Sequence, residues 1–477
     1  MRHPGVVLHL VLLLLLPLPF PFQAGAQGPD TVAASPTVTF EEAVRIALSN
    51  GRDVHLAAQD VRITAEGRNV ASARWLPRLD ASGDYTALSE PPGTIFQGTP
   101  VQTADKNIWR ARLTAEQTIY DFGRTRSRVD QAGARTDVAE RLEGVTRERQ
   151  AMDVISAFLG AKRADALRKV AEESLATAVD HRRLARDQFD VGTVARNDVL
   201  AADVVVANAE AALITADVRR EISRSRLALR MGYPGDRSLT PAPGPYPVPA
   251  DAVPPLPESL RAAFGKREEL RAQDASIREG EAAADTARSE FAPTFFGQGG
   301  YLYEANDLNP HKSAFSILLG GKVNLFSGFA DEASLRQARL AVDRRKETLG
   351  KLRDEIALEV KSAHLLVTEA DKRKAVAEVA VVNAEENLRI QEERYKEGMA
   401  ISTEVLDAQT LLTRAKTDRQ NAIYDLAEAQ YRLLAARGEL LDFLAFSFSI
   451  SPPGPGSPGR NPPAVPTSGK PPEPAPP

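Results

Sequence analysis

Apolar residues recur every seven positions along the second half of the chain, at Leu335, Val342, Leu349, Ile356, Ala363, Ala370, Ala377 and Ala384. This is the period of a coiled-coil seam. The row lies in a stretch from Phe329 to Tyr395 without proline, and an equivalent stretch runs from Arg124 to Phe189. Each predicts a continuous helix of about 66 residues, roughly 100 Å long at 1.5 Å per residue, which no single globular domain houses. The seam narrows to alanine toward Gly398, so the helices should approach more closely at that end. Each long helix runs into a glycine turn and then a shorter helix, Arg196 to Met231 and Ser402 to Glu439. In the first of these, Leu200, Val204, Ala207, Ala211, Ile214 and Val218 alternate steps of three and four, and on that row the two helices of each half are expected to form an antiparallel hairpin.

Ahead of the long helices the period changes to two. Between Pro77 and Tyr120, and again between Pro293 and Phe326, the alternation predicts two strands each. Phe315, Ile317, Leu319, Gly321, Val323 and Leu325 share one face of the fourth strand, with Ser316, Gly320, Lys322 and Asn324 on the other. On the second strand, Trp109, Ala111, Leu113 and Ile119 oppose Arg110, Arg112, Thr114 and Glu116, and on the third Phe295, Tyr301 and Tyr303 supply an aromatic face suited to a membrane interface. At about ten residues these strands are long enough to cross an outer membrane when tilted; alternation alone equally fits a soluble hairpin packed on helices.

The two halves repeat one another. Leu76-Pro77, Tyr120-Asp121-Phe122-Gly123 and Gln188-Phe189-Asp190-Val191-Gly192 in the first answer Ala292-Pro293, Leu325-Phe326-Ser327-Gly328 and Arg394-Tyr395-Lys396-Glu397-Gly398 in the second. The spacing between matched glycines is 205 residues at Gly123/Gly328 and 206 at Gly192/Gly398, so the long helices have equal length. It is 216 at Pro77/Pro293, which places the difference between repeats in the strands. The expected organisation is a signal peptide at 1–26, a first helix–strand–strand–helix repeat at 38–231, a proline-rich linker at 232–256, a second repeat at 257–446 and an unfolded proline-rich tail at 451–477.

The signal peptide rests on Arg2 and His3, the largely apolar run Val6 to Leu16, and Ala24-Gly25-Ala26 as a small-x-small cleavage site. No other segment holds 18 consecutive apolar residues, so a membrane-embedded part must be made of strands. With 60 Lys+Arg against 64 Asp+Glu the chain carries a formal charge of −4, and no basic field recruits nucleic acid. Zero cysteines exclude disulfides, thiolate chemistry and a lipid-modified N-terminal cysteine. His55, His181, His311 and His364 stand alone, and neither a GxSxG nor a P-loop pattern occurs. The chain is therefore read as a non-enzyme without cofactor or metal, and its lone histidines as solvated bystanders. Four strands cannot close a barrel, and lipid tolerates no open sheet edge, so the membrane reading requires strands from several identical chains. Two chains give eight strands and a filled bore; three give twelve and room for an aqueous passage, which charged inward faces at Arg110, Arg112 and Lys322 favour.

The duplicated unit, its Leu76-Pro77 boundary, the Tyr120-Asp121-Phe122-Gly123 and Leu325-Phe326-Ser327-Gly328 strand ends and the paired glycine turns together resemble the TolC-type outer membrane efflux protein family over about residues 38 to 440. The resemblance implies a mostly α fold: duplicated helical hairpins build a periplasmic α-barrel, and four strands per chain enter a trimeric 12-stranded membrane β-barrel. It implies a homotrimer in the outer membrane, extending into the periplasm, that passively conducts substrates delivered by an inner-membrane pump and a periplasmic adaptor. Val191, Gly192, Thr193, Glu397, Gly398 and Met399 would form the tip on which the adaptor docks. Asp198, Tyr395, Glu404 and Asp407 would line a closed periplasmic gate, where Tyr395 bonds Asp198 across neighbouring coils and the acids select cations. Ala400 stands where some members carry a basic latch. The rival readings are a periplasmic adaptor, which would show one hairpin between β domains rather than two in tandem, and a coiled-coil scaffold, which leaves the strands unexplained.

Overall fold

The structure, a computed structural model, describes residues 36–249 and 253–448. The signal-peptide and tail assignments lie outside the described residues. In chain order the elements are β1 (Thr37–Val38), α1 (Phe40–Asn50), α2 (Arg52–Ser72), β2 (Arg78–Ala87), β3 (Gly93–Phe96), β4 (Thr99–Gln102), β5 (Asn107–Tyr120), α3 (Arg124–Asp190) and α4 (Arg196–Arg230). There follow β6 (Thr240–Pro241), α5 (Leu256–Lys266), α6 (Glu268–Ser289), β7 (Thr294–Ala305), β8 (Ser313–Lys322), α7 (Ala330–Lys396), α8 (Ser402–Ala436) and α9 (Leu440–Phe448).

Absence of proline lets α3 and α7 run unbroken for 67 residues each, across Gly133, Gly144 and Gly160 in α3 and Gly350 in α7. The heptad row of α7 faces inward, and a second row, Val360, Val367, Val381, Leu388 and Tyr395, is buried beside it. Together they give the alternating spacing of a complete seam. The helices form a row in the order α4, α3, α8, α7, with α3 against α8 at its centre.

The hairpin seam of α4 differs from the expectation. Val199, Ala202 and Val206 are buried on α4, whereas Leu200, Val204, Ile214 and Val218 are 51 to 65% exposed. The row read from the sequence is thus a second seam that points away from α3. It also raises mean hydropathy to 1.7 over an 18-residue window, of which 17% is buried, so α4 is long and apolar enough to span a membrane by length and composition alone.

The strands β2, β5, β7 and β8 form one antiparallel sheet in that order. Two strands were expected in the first β segment; it holds four, because the connection between β2 and β5 carries the extra hairpin β3–β4, reversed at Gln97-Gly98 with both residues at positive φ. The helical segment that opens each repeat is split, at Gly51 in the first and at Arg267 in the second. Thr39 starts α1 with a capping box: its hydroxyl accepts from the Glu42 amide at 3.2 Å and the Glu42 carboxylate accepts from the Thr39 amide at 2.9 Å.

The main core lies about halfway down the helices, where α1, α9 and the ends of α4 and α8 wrap α3. Phe40 packs edge-on against Phe158 at 5.3 Å and stacks on Tyr431 at 5.7 Å. The Tyr431 hydroxyl donates to the Pro247 carbonyl. Gly232, at φ +88°, lies so close that an added Cβ would sit 2.5 Å from the Asn50 carbonyl oxygen, which ties the end of the first hairpin to the break after α1.

Candidate functional site

The two glycine turns share one construction. After α3, Gly192 takes φ +78° and the Thr193 amide donates back to the Gln188 carbonyl at 3.0 Å; after α7, Gly398 takes φ +71° and the Met399 amide donates to the Arg394 carbonyl at 2.7 Å. Both are six-to-one closures that satisfy the last helical carbonyls and reverse the chain within a few residues. They leave Val191 and Met399 largely exposed, with Gly192, Thr193, Glu397 and Gly398 exposed beside them. The turns lie together, because Leu184 and Val194 of the first hairpin pack against Leu388, Tyr395, Val405 and Ala408 of the second, and the Gln188 amide donates to the Tyr395 carbonyl at 3.4 Å.

Just inside the tips, the structure assembles a polar cluster from four helices. Tyr395 is 1% exposed and its ring centroid lies 5.2 Å from that of His181. The His181 Nε2 and the Ser402 hydroxyl are hydrogen-bonded at 2.9 Å. Burial pushes the His181 imidazole below its ordinary range, against the pull of Asp198, and burial followed by the charge of Asp198 pushes the Tyr395 phenol up, with Ser402 opposing. Asp198 thus stands close enough to act on both rings. Among the described residues the Tyr395 hydroxyl makes no hydrogen bond to Asp198; it is buried beside Ser402 without a partner at hydrogen-bond geometry. His181 corrects the reading of all four histidines as bystanders: it is 4% exposed. The signal that marks it is positional, since Ala178 and Ala185, at helical spacing on either side, are buried as well.

The acids of α8 face differently. Asp407 is exposed, whereas Glu404 is half-buried with its Oε2 at 3.6 Å from Arg394 Nη1. Arg394 was not singled out from the sequence, and it places a cation beside one of the two carboxylates; its Nη2 also donates to the Met399 carbonyl at 3.3 Å.

Strand register fixes the faces of the sheet. Tyr85 lies opposite Trp109, Leu113 opposite Tyr301, and Tyr301 opposite Phe315, so one continuous face carries Leu79, Trp109, Tyr303, Ile317 and Leu319 as well. Its large side chains are exposed. The other face carries Arg110, Arg112 and Lys322 together. There Arg110 Nε donates to Glu304 at 2.9 Å and Nη1 lies 3.8 Å from Asp84, so its charge is offset, while Arg112 and Lys322 form no ion pair among the described residues. This face is not wholly polar: Ile108, Leu302 and Leu318 share it.

A family model described as "Outer membrane efflux protein" matches residues 43–233 and 260–439, both repeats with the sheet and the tips. The chain belongs to the outer membrane efflux protein family. As a member it is an outer membrane protein of the channel-forming efflux class, extending into the periplasm, and the adaptor and scaffold readings fall away. It is similar to the outer membrane efflux protein BepC of Brucella suis biovar 1, at 22% identity over 86% of this chain and 87% of that protein. With nodulation protein T of Rhizobium leguminosarum bv. trifolii it shares 26% identity over 39% of each chain, well under two thirds of that relative's length. The fold matches that of the outer membrane protein VceC from Vibrio cholerae with a TM-score of 0.71 at 18% identity, over 84% of this chain and 96% of that one. Among the described residues, no group of three or more acids and histidines is placed to hold a metal ion.

Proposed function

We propose that three copies of the chain close into one conduit across the outer membrane and the periplasm. The observation that carries this reading is a double set of open edges. The helix row ends in α4 and α7, and both present apolar side chains to solvent: Leu200, Val204, Ile214 and Val218 on α4, Leu358, Leu365, Val376, Val379 and Val382 on α7. The sheet ends in β2 and β8, each with one unpaired edge. Lipid tolerates no free strand edge, and a head-to-tail contact that closes generates a ring. Three copies supply twelve strands, a bore wide enough for water, with the aromatic face toward lipid and Arg112 and Lys322 toward the passage.

In this reading the protein conducts passively, with energy supplied by an inner-membrane pump through a periplasmic adaptor. The adaptor docks on Val191, Gly192, Thr193, Glu397, Gly398 and Met399. The tip closes as a gate around Asp198, Tyr395, Glu404 and Asp407; the unpartnered Tyr395 hydroxyl is left to meet a group of the neighbouring copy. Relatives named for efflux support the assignment. The absence of native cysteine gives a direct test. Ile214 on α4 stands level with Val382 on α7, because the ion pairs Arg168–Asp217, Lys416–Glu173 and Lys416–Glu385 fix the register of the four helices. The double variant Ile214→Cys/Val382→Cys should yield covalent dimers and trimers under oxidation in membranes, and nothing larger. A ladder running past three, or no crosslink at all, would refute the closed trimer.

A further inference from the structure

Beside the main core, α3, α4, α8 and the loop at 240–244 enclose a cleft of about 770 Å3, within the range that suits small ligands. Its acids are already matched. Asp165 takes Arg224 at 2.9 Å, and Glu173 and Glu385 share Lys416 at 3.1 and 3.7 Å. Arg168 is held by Asp217 and Glu172 from outside the cleft. Three further cations in the lining, Lys162, Lys169 and Arg419, have no acidic partner among the described residues.

These three differ in how they are held. Lys162 donates to the Gly244 carbonyl at 2.7 Å and lies over the rings of Phe158 and Tyr246, which fixes its ammonium at the cleft wall. Lys169, exposed and two turns further along the same face of α3, is about 10 Å away. Arg419 approaches from α8, and its Nε is buried without a hydrogen-bond partner, as is that of Arg224. An orphaned guanidinium N–H in a cleft with surplus positive charge is a position that an acceptor oxygen would complete.

We propose that this cleft binds a small periplasmic group carrying two or more carboxylates, with Lys162, Lys169 and Arg419 as its counter-charges. Lipid headgroups are out of reach: Lys162 lies 38 residues beyond Arg124, about 57 Å from the membrane end of α3. The arginines of the cleft already take carboxylate oxygens through single contacts, Arg168 Nε with Asp217 at 2.7 Å and Arg224 Nη2 with Asp165 at 2.9 Å; the proposal extends that chemistry to the ligand, and a phosphate probe decides between the two. The assignment goes beyond the conduit reading, since the cleft is walled by helices of one chain and its ligand is held rather than passed.

The test is calorimetric titration of the detergent-purified protein with citrate, and separately with pyrophosphate and with acetate. Citrate should bind saturably, acetate should not, and pyrophosphate should bind more weakly than citrate. Lys169→Gln/Arg419→Gln removes two cations that form no ion pair among the described residues; with an unchanged helical circular dichroism signal as the check on folding, it should weaken citrate at least tenfold. Lys169→Glu/Arg419→Glu should abolish binding. Absence of saturable citrate binding, or unchanged affinity in the double glutamine variant, overturns the site. Tighter binding of pyrophosphate overturns the carboxylate assignment.

Discussion

Glu148 is a carboxylate in the wrong solvent. It lies on α3 beside Arg267, whose guanidinium is already engaged by Glu269 at 2.9 Å, by Glu359 at 3.0 Å and by the carbonyls of Ala435 and Ala436. Burial lifts Glu148 to about 7, with Arg267 pulling it down and Glu269, Glu359 and Glu268 pushing it up, and its Oε1 has no partner. A carboxyl whose native pKa exceeds its unfolded value of about 4.5 holds its proton longer in the folded state. Its contribution is fully present below pH 4.5 and is lost as pH rises through about 7. Glu148→Gln, neutral throughout, should therefore match the wild type near pH 4.5 and be more stable at pH 8, by on the order of 1 to 3 kcal/mol, read from the urea midpoint of the helical circular dichroism signal. In the proposed gate, selectivity is set at the scale of single residues. Asp407 is exposed and Glu404 shares its charge with Arg394, so Asp407→Ala should move the bilayer reversal potential toward anions more than Glu404→Ala does, and the double variant further than either. An unmoved potential in the double variant would leave both acids with only a helix-dipole role.

At the scale of elements, the turns separate what glycine does for the backbone from what its neighbours do for a partner. A Cβ added at Gly192 or Gly398 would meet nothing within 4 Å, so alanine there costs only the left-handed backbone, about 1 to 2 kcal/mol. Gly192→Ala and Gly398→Ala should keep the assembly intact, whereas Thr193→Trp with Met399→Trp should abolish adaptor crosslinking without changing the assembly on blue native gels. The long helices were legible because no proline falls within their 67 residues, and the strand faces because the period of two carries straight into the register of the sheet. Other features were hidden for physical reasons. The break at Arg267 comes two residues after Gly265, but that glycine stays within α5; the break coincides with a buried guanidinium that ties α6 to α7 and α8. The α4 row read as a hairpin seam is exposed, and in the proposed ring it meets a neighbouring copy; a single sequence does not distinguish an inner seam from an outer one. His181 looked solitary because its partners, Ser402 and Tyr395, lie more than 200 residues away.

At the scale of the whole molecule, the duplication is faithful in the helices and broken in the strands. The second repeat crosses from β7 to β8 through residues 306–312, a short turn, while the first spends residues 88–106 between β2 and β5 and folds β3–β4 within them. The α-helical ends of all four long strands lie on one side, so both connections emerge on the other, which in the proposed conduit is the side beyond the membrane. Around a closed ring, long and short connections would alternate, and the periphery outside the cell would show three projections rather than six. Those projections carry Ile95 and Phe96, exposed by 76 and 65%, on a hairpin that pairs with no other strand. In the proposed conduit this hairpin is the part of the chain that faces the exterior, and altering it should leave the passage intact. A peptide epitope inserted between Gln97 and Gly98 should be stained by antibody on intact, unpermeabilised cells while export continues, and the same epitope at Thr193 should be stained only after the outer membrane is opened.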